Sequence, residues 1–181
     1  MSYAGVPGFL SEEEAYGETT VVVTRERLLD AALYLRDAEG FNFLADVTSA
    51  DFLGWDEHHV AGYWGSALGR DTNAPGSSGM AKLPAPKPKR FGVAYHLLAL
   101  RSDPKRVRLR VWVDDGEPVA SVVGIWPTAD WHEREVFDLM GIPFEGHPNL
   151  VRILMSEDWE GHPLRKDYPI GGEPVRFSEE Q

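Results

Sequence analysis

The chain shows its architecture first as changes of period. Thr19 to Val23 is a short β-branched run, the composition of a strand. Beyond it Leu28, Leu29, Ala32, Leu33 and Leu35 recur at three- and four-residue steps, which predicts an amphipathic helix with Thr24 as cap and Gly40 as stop. FNFLADVTSADF (41–52) reads as a strand and its exit, and RFGVAYHLLALR (90–101) as a strand apolar on both faces. RVRLRVWV (106–113) alternates, with Val107, Leu109, Val111 and Val113 on one face and Arg108, Arg110 and Trp112 on the other. Asp115-Gly116 carries a hairpin-turn signal, so VASVVGIW (119–126) is expected to return as the next strand. Pro127-Thr128 opens a helix that Gly141 ends, and Ala129, Glu133, Val136, Phe137 and Met140 share one arc of it.

Both ends of the chain are harder to pattern. Ser11-Glu12-Glu13-Glu14 has the form of a capping box opening a short turn that Gly17 ends. After Gly141, prolines at 143, 148, 163, 169 and 174 forbid long helices and central strands, leaving LVRILM (150–155) as the one strand candidate. Residues 55–89 include NAPGSSGMAKLPAPKPK and read as a surface loop. The expectation is an α+β fold: a mixed β-sheet with helices mainly on one face, followed by an extended C-terminal arm. The segments expected are an N-terminal stretch 1–18, a domain 19–155 with loop insertion 55–89, and a partner-binding arm 156–181.

Composition removes whole classes of chemistry. With no cysteine, there are no disulfides, no thiolate metal sites and no Cys nucleophile. A net charge of −11 disfavours broad nucleic-acid or anionic-membrane binding. No run approaches the length of a membrane span and no secretory leader is visible, so a cytoplasmic protein is expected. No Gly-rich phosphate loop is present.

His132, Glu133, His147 and His162, with His58 and His59, are the metal-ligating types, but no pair has HExxH spacing. His147 and His162 each sit in a Gly-His-Pro triplet and read as turn histidines bonding backbone groups. Glu133 lies inside an apolar arc. It reads as a structural carboxylate held by a basic partner, with Arg152 the candidate and Arg134 grouped among the structural residues; a general base is the weaker reading, since no nucleophile accompanies it. In the tail, Trp159, Leu164, Tyr168, Ile170, Val175 and Phe177 are the large apolar anchors, and they return about half the cost of ordering the backbone over 156–177. GHPLRKDYP (161–169) therefore reads as an adhesive segment, mobile until a second surface orders it. Trp159, His162, Leu164, Arg165, Lys166, Asp167 and Tyr168 are its expected contact residues.

EREVFDLMGIPFEGHPNL (133–150) and RILMSEDWEGHPLRKDYP (152–169) closely resemble the signature of the C subunit of proton-pumping NADH-quinone oxidoreductase, respiratory complex I. FNFLADVTSADFLG and RFGVAYHLLALR are similar to that family's central strands. Val151 stands where the family commonly has the first arginine of a pair, and Ser156 where a proline is common. The resemblance implies a structural component of the hydrophilic arm, peripheral on the cytoplasmic side of the bacterial membrane, packed beside the D subunit and the quinone-side module. It implies no catalytic residue and no cofactor in this chain, with NADH, flavin, iron–sulfur clusters and quinone in partner subunits. The equivalent component of a related membrane-bound hydrogenase or non-NADH dehydrogenase is the alternative, and a stand-alone hydrolase using Glu133 and histidines the distant one.

Overall fold

The computed structural model describes residues 2–55 and 86–169. Most of the predicted loop 55–89, with His58 and His59, and the arm from residue 170 lie outside the described residues. Five strands form a mixed sheet in the order β1-β2-β5-β4-β3. They are β1 (Phe9–Ala15), β2 (Glu18–Val23), β3 (Phe43–Asp51), β4 (Phe91–Ala99) and β5 (Lys105–Val113). β1 pairs antiparallel with β2, β2 parallel with β5, and β5–β4–β3 run antiparallel.

Register explains the core. Val21 opposes Leu109, Tyr95 opposes Leu109, and Val47 opposes Tyr95, so these side chains share one face. Helix α1 (Leu28–Asp37) and helix α2 (Ala129–Met140) join the same core: Leu28, Ala31, Ala32 and Leu35 from α1 and Ala129, Val136 and Met140 from α2 are all buried in it. The α+β expectation, with both helices on one face, holds. The opposite face mixes arginines with Val22, Ala94 and Trp112, and Arg110 there reaches Glu13 at 3.3 Å.

Four local expectations fail. The Ser11–Glu14 stretch is strand β1, not a helical turn. Tyr16 and Gly17 both take positive φ (56° and 78°), the requirement of a two-residue hairpin, and this overrides the capping-box signal. Thr24 does not cap α1 with its side chain; one 3-10 turn, Arg25–Arg27, intervenes. Residues 119–126 do not return beside β5, because both edges of β5 are already occupied by β2 and β4. Only Val119–Ala120 is extended, as β6, pairing parallel with β7 (Phe144–Glu145). Residues 150–155 form no strand either, for a reason that belongs to the site. Where the chain leaves the sheet after β3, Phe52 N–H donates to the Arg90 carbonyl at 2.8 Å, so the segment between them starts and ends at one point.

Candidate functional site

Three buried carboxylates organise the site, and each accepts backbone N–H groups. Glu133 is fully buried on the core face of α2. Its Oε1 accepts Val122 N–H at 2.7 Å and its Oε2 the Ser121 hydroxyl at 2.6 Å, pinning the crossover that follows β6. Burial pushes its carboxyl up to about 7 against those two bonds, and Asp130 adds to the rise. The expected basic partner is absent: no arginine reaches it among the described residues. Arg152 lies instead beside Asp138, which is five residues on and therefore about 140° round the helix from Glu133. Arg134 faces outward, donating from Nε to the Val151 carbonyl at 3.2 Å and lying 4.9 Å from the Trp131 ring centre.

Asp138, like Asp51 and Arg90, is a residue that sequence reasoning missed. It is fully buried, and its Oδ2 accepts three consecutive N–H groups, Ile153 at 3.0 Å, Leu154 at 2.7 Å and Met155 at 2.9 Å. In a strand successive N–H groups point opposite ways; here they converge on one oxygen, which is why LVRILM is a loop. Arg152 Nη1 sits 3.6 Å from Oδ1, a charge contact longer than a hydrogen bond, and its Nη2 donates to the Gly161 carbonyl at 3.1 Å. Burial pushes the Asp138 carboxyl up. The three backbone donors and Arg152 outweigh it and hold the pKa below the ordinary range. A signal existed: an acid in the last turn of a helix opposes the macrodipole, and such a mismatch asks for a local cause.

The third carboxylate fastens the segment GHPLRKDYP. Helices end with unpaired carbonyls, and this segment satisfies those of α2 in order. His162 Nδ1 lies 2.8 Å from the Asp138 carbonyl, Leu164 N–H donates to Leu139 at 3.0 Å, and Arg165 Nε donates to Met140 at 2.6 Å. Since a carbonyl only accepts, Nδ1 of His162 carries the proton. Gly141 makes the close approach possible: its φ is 70°, and a Cβ there would lie 2.4 Å from the His162 ring. Arg165 then forks onto Asp115 at 2.9 and 3.1 Å. Lys166 N–H donates to the buried Asp51 at 2.9 Å, and Asp167 meets Arg90 at 2.9 Å. Arg90 also grips Asp51 through Nε at 3.1 Å and Nη2 at 2.8 Å. Burial raises the Asp51 carboxyl, but Arg90 and the Lys166 and Leu53 N–H groups outweigh it and lower it. Phe91 lies under both guanidinium groups, at 4.7 and 5.4 Å.

Residues 161–169, the strap, therefore bond to the chain's own surface, through the carbonyls of α2, Asp51 and Arg90. These polar partners add to the apolar anchors expected over 156–177, of which Ile170, Val175 and Phe177 lie outside the described residues. Leu164 is 53% exposed, Trp159 and Tyr168 are half-buried, and Lys166 is exposed. His147 likewise bonds backbone, to the Asp130 carbonyl at 3.2 Å and from Asn149 N–H at 3.0 Å. Among the described residues no group of His, Asp or Glu side chains is placed to hold a metal ion.

Fold and clasp together define a class: an α+β domain whose C-terminal segment is buckled back onto the last helix and the sheet. The chain belongs to the family described as respiratory-chain NADH dehydrogenase, 30 Kd subunit, which matches residues 21–174. The NADH-quinone oxidoreductase C subunit of Roseiflexus sp. is 41% identical over 172 residues, covering 93% of this chain and 80% of the relative. The protein of that name from Thermus thermophilus is 38% identical over 184 residues, covering 99% and 75%. Among solved structures, a trypsin-resistant fragment of Nqo5 superposes with a TM-score of 0.58 at 34% identity, over 77% of this chain and 89% of the fragment. A chain of an archaeal membrane-bound sulfane sulfur reductase superposes with a TM-score of 0.63 at 17% identity, over 92% and 80%, a likeness of fold alone.

Proposed function

We propose that this chain is a cofactor-free structural subunit of an NADH-quinone oxidoreductase, supporting the quinone-reducing module in electron transfer coupled to proton translocation. It contributes no catalytic residue; NADH, flavin, iron–sulfur clusters and quinone belong to its partners, the D subunit and other members of the hydrophilic arm. It works as a peripheral component on the cytoplasmic side of a bacterial membrane. No helix among the described residues is long and apolar enough to cross one, which is compatible with that placement.

The carrying observation is an apolar surface laid around the clasp. Trp131, Val151, Leu154 and Leu164 are 62, 46, 59 and 53% exposed, on α2, the Asp138-bound loop and the strap. The backbone beneath them is hydrogen-bonded within the chain, Leu154 to Asp138, Leu164 to the Leu139 carbonyl and Trp131 within α2, so less order is lost when a partner covers it. Trp159, Lys166 and Tyr168 extend the same strap toward Pro169, the last described residue.

The test is purification of the tagged chain from membranes, intact and truncated before Ser156. The intact chain is expected to bring with it an NADH-oxidising flavoprotein and the D subunit. The truncated chain is expected to lose both while keeping its circular dichroism spectrum. Recovery of a hydrogenase large subunit, or full assembly without residues 156–181, would overturn the proposal.

A further inference from the structure

The two edges of the sheet are protected unequally. β1 carries Glu12, Glu13 and Glu14 in succession, the kind of charge that blocks edge-to-edge pairing. β3 ends the other side of the sheet among the described residues. Its bulge lies at its beginning, between Leu44 and Asp46; from Asp46 to Asp51 it pairs residue for residue with β4. Val47, Thr48, Ser49 and Ala50 form the middle of this regular stretch, without charge or proline. In such an edge strand alternate N–H and C=O groups point away from the sheet and seek a partner.

A groove runs along this edge. It encloses about 90 Å³ between Asp46–Ser49 of β3, Glu135, Val136, Leu139 and Met140 of α2, and Leu164 of the strap. That is room for about three waters, or one small apolar side chain. Its rim is acidic. Asp46 is engaged by His132 at 3.1 Å, while Glu135 is exposed. Inside, the Ser49 hydroxyl is buried with no hydrogen-bond partner, and a buried polar group left this way costs free energy until something bonds to it.

We infer that the Asp46–Asp51 edge of β3 and the groove beside α2 receive an extended segment of another subunit, which adds a strand to the sheet. Main-chain bonds to β3 supply affinity. Successive side chains of the added strand alternate in direction. A small apolar residue enters between Leu139 and Leu164, and a lysine or arginine at an alternate position meets Glu135 and Asp46. The acidic rim selects this occupant over the glutamate-rich segments of a second copy of the chain.

The inference rests on the proposed membership of a multisubunit complex, and the experiment separates the two. Thr48 is replaced by p-benzoylphenylalanine in the full chain, the complex is purified and irradiated, and the cross-linked peptide is identified. In parallel, amide exchange over 46–51 is measured on the unmodified chain, free and assembled, so a poorly folding variant does not decide the matter. A cross-link to a different polypeptide is expected, together with exchange slowed at least about tenfold in the complex. Glu135→Lys is expected to cut the cross-link yield severalfold. A cross-link to residues 56–85 or 170–181 of this chain or to a second copy, or unchanged exchange over 46–51, overturns the inference while co-purification still supports the proposed function. An unaltered yield in the Glu135→Lys complex overturns the cationic chemistry assigned to the partner. Failure of the chain to co-purify with any complex overturns both.

Discussion

Replacing Glu133 by glutamine tests the chemistry of the core directly. Glutamine keeps the shape: its carbonyl can accept Val122 N–H, and its amide can donate to the Ser121 hydroxyl. What it removes is the proton equilibrium. The Glu133 carboxyl rises from 4.5 to about 7 in the folded chain, chiefly through burial. A group with a raised folded pKa contributes stability that is fully present below its unfolded value and lost as pH rises through the folded one. At about 1.4 kcal/mol per pH unit the displacement amounts to about 3 kcal/mol, spread between pH 4.5 and somewhat above 7. The charges and phenol facing Glu133 are Asp130, one turn back on α2, and Tyr95 from β4, whose own ionisation burial pushes far above neutrality. Urea unfolding of the parent and of Glu133→Gln at pH 5 and pH 9 isolates the effect, since all other titrations cancel in the difference. The variant is expected to gain about 3 kcal/mol on the parent between the two pH values. Parallel pH dependence in the two proteins would show that Glu133 has a charged partner or an ordinary pKa, and would refute the reasoning.

Asp138→Asn is expected to cost about 2–3 kcal/mol at pH 7 by thermal or chemical melting, because three N–H groups lose a charged acceptor. Asp138 has a lowered pKa, so its contribution is present above the ordinary carboxylate range and fades as pH falls through the folded value; the variant's deficit should shrink in acid. Gly141→Ala should cost about 1–3 kcal/mol, combining a positive φ with a clash on His162, and limited proteolysis should then cut within 156–169 faster than in the parent. Arg90→Met should cost about 3 kcal/mol or more in denaturant titration, because it leaves Asp51 buried with only backbone donors.

What could be read from sequence was local. The alternation of Val107 to Val113 placed β5 correctly, the two-sided apolar run placed β4, and Gly141 marked the end of α2, because each signal is written in neighbouring residues. The hairpin expected at Asp115-Gly116 failed for a non-local reason: β2, more than eighty residues earlier in the chain, already lies parallel against β5. Glu133 was found as an anomaly on an apolar face, but its partners are a hydroxyl and a peptide N–H, and peptide groups leave no trace in composition. Arg152 was given to the wrong carboxylate since nothing in residue spacing chooses between Glu133 and Asp138 until the loop at 153–155 has turned its N–H groups inward. The polar contacts of the strap were illegible for the same reason. Its binding surface is the carbonyl end of α2, which every helix has and no side chain announces.

The bond from Phe52 N–H to the Arg90 carbonyl has a consequence for engineering. That bond fixes where the intervening segment leaves and re-enters the sheet. A fluorescent or epitope module whose own termini lie close together can be spliced between those two residues with the Asp51–Arg90 grip left in place. Such a graft would light the complex from a site that neither the C-terminal strap nor its buried carboxylates share.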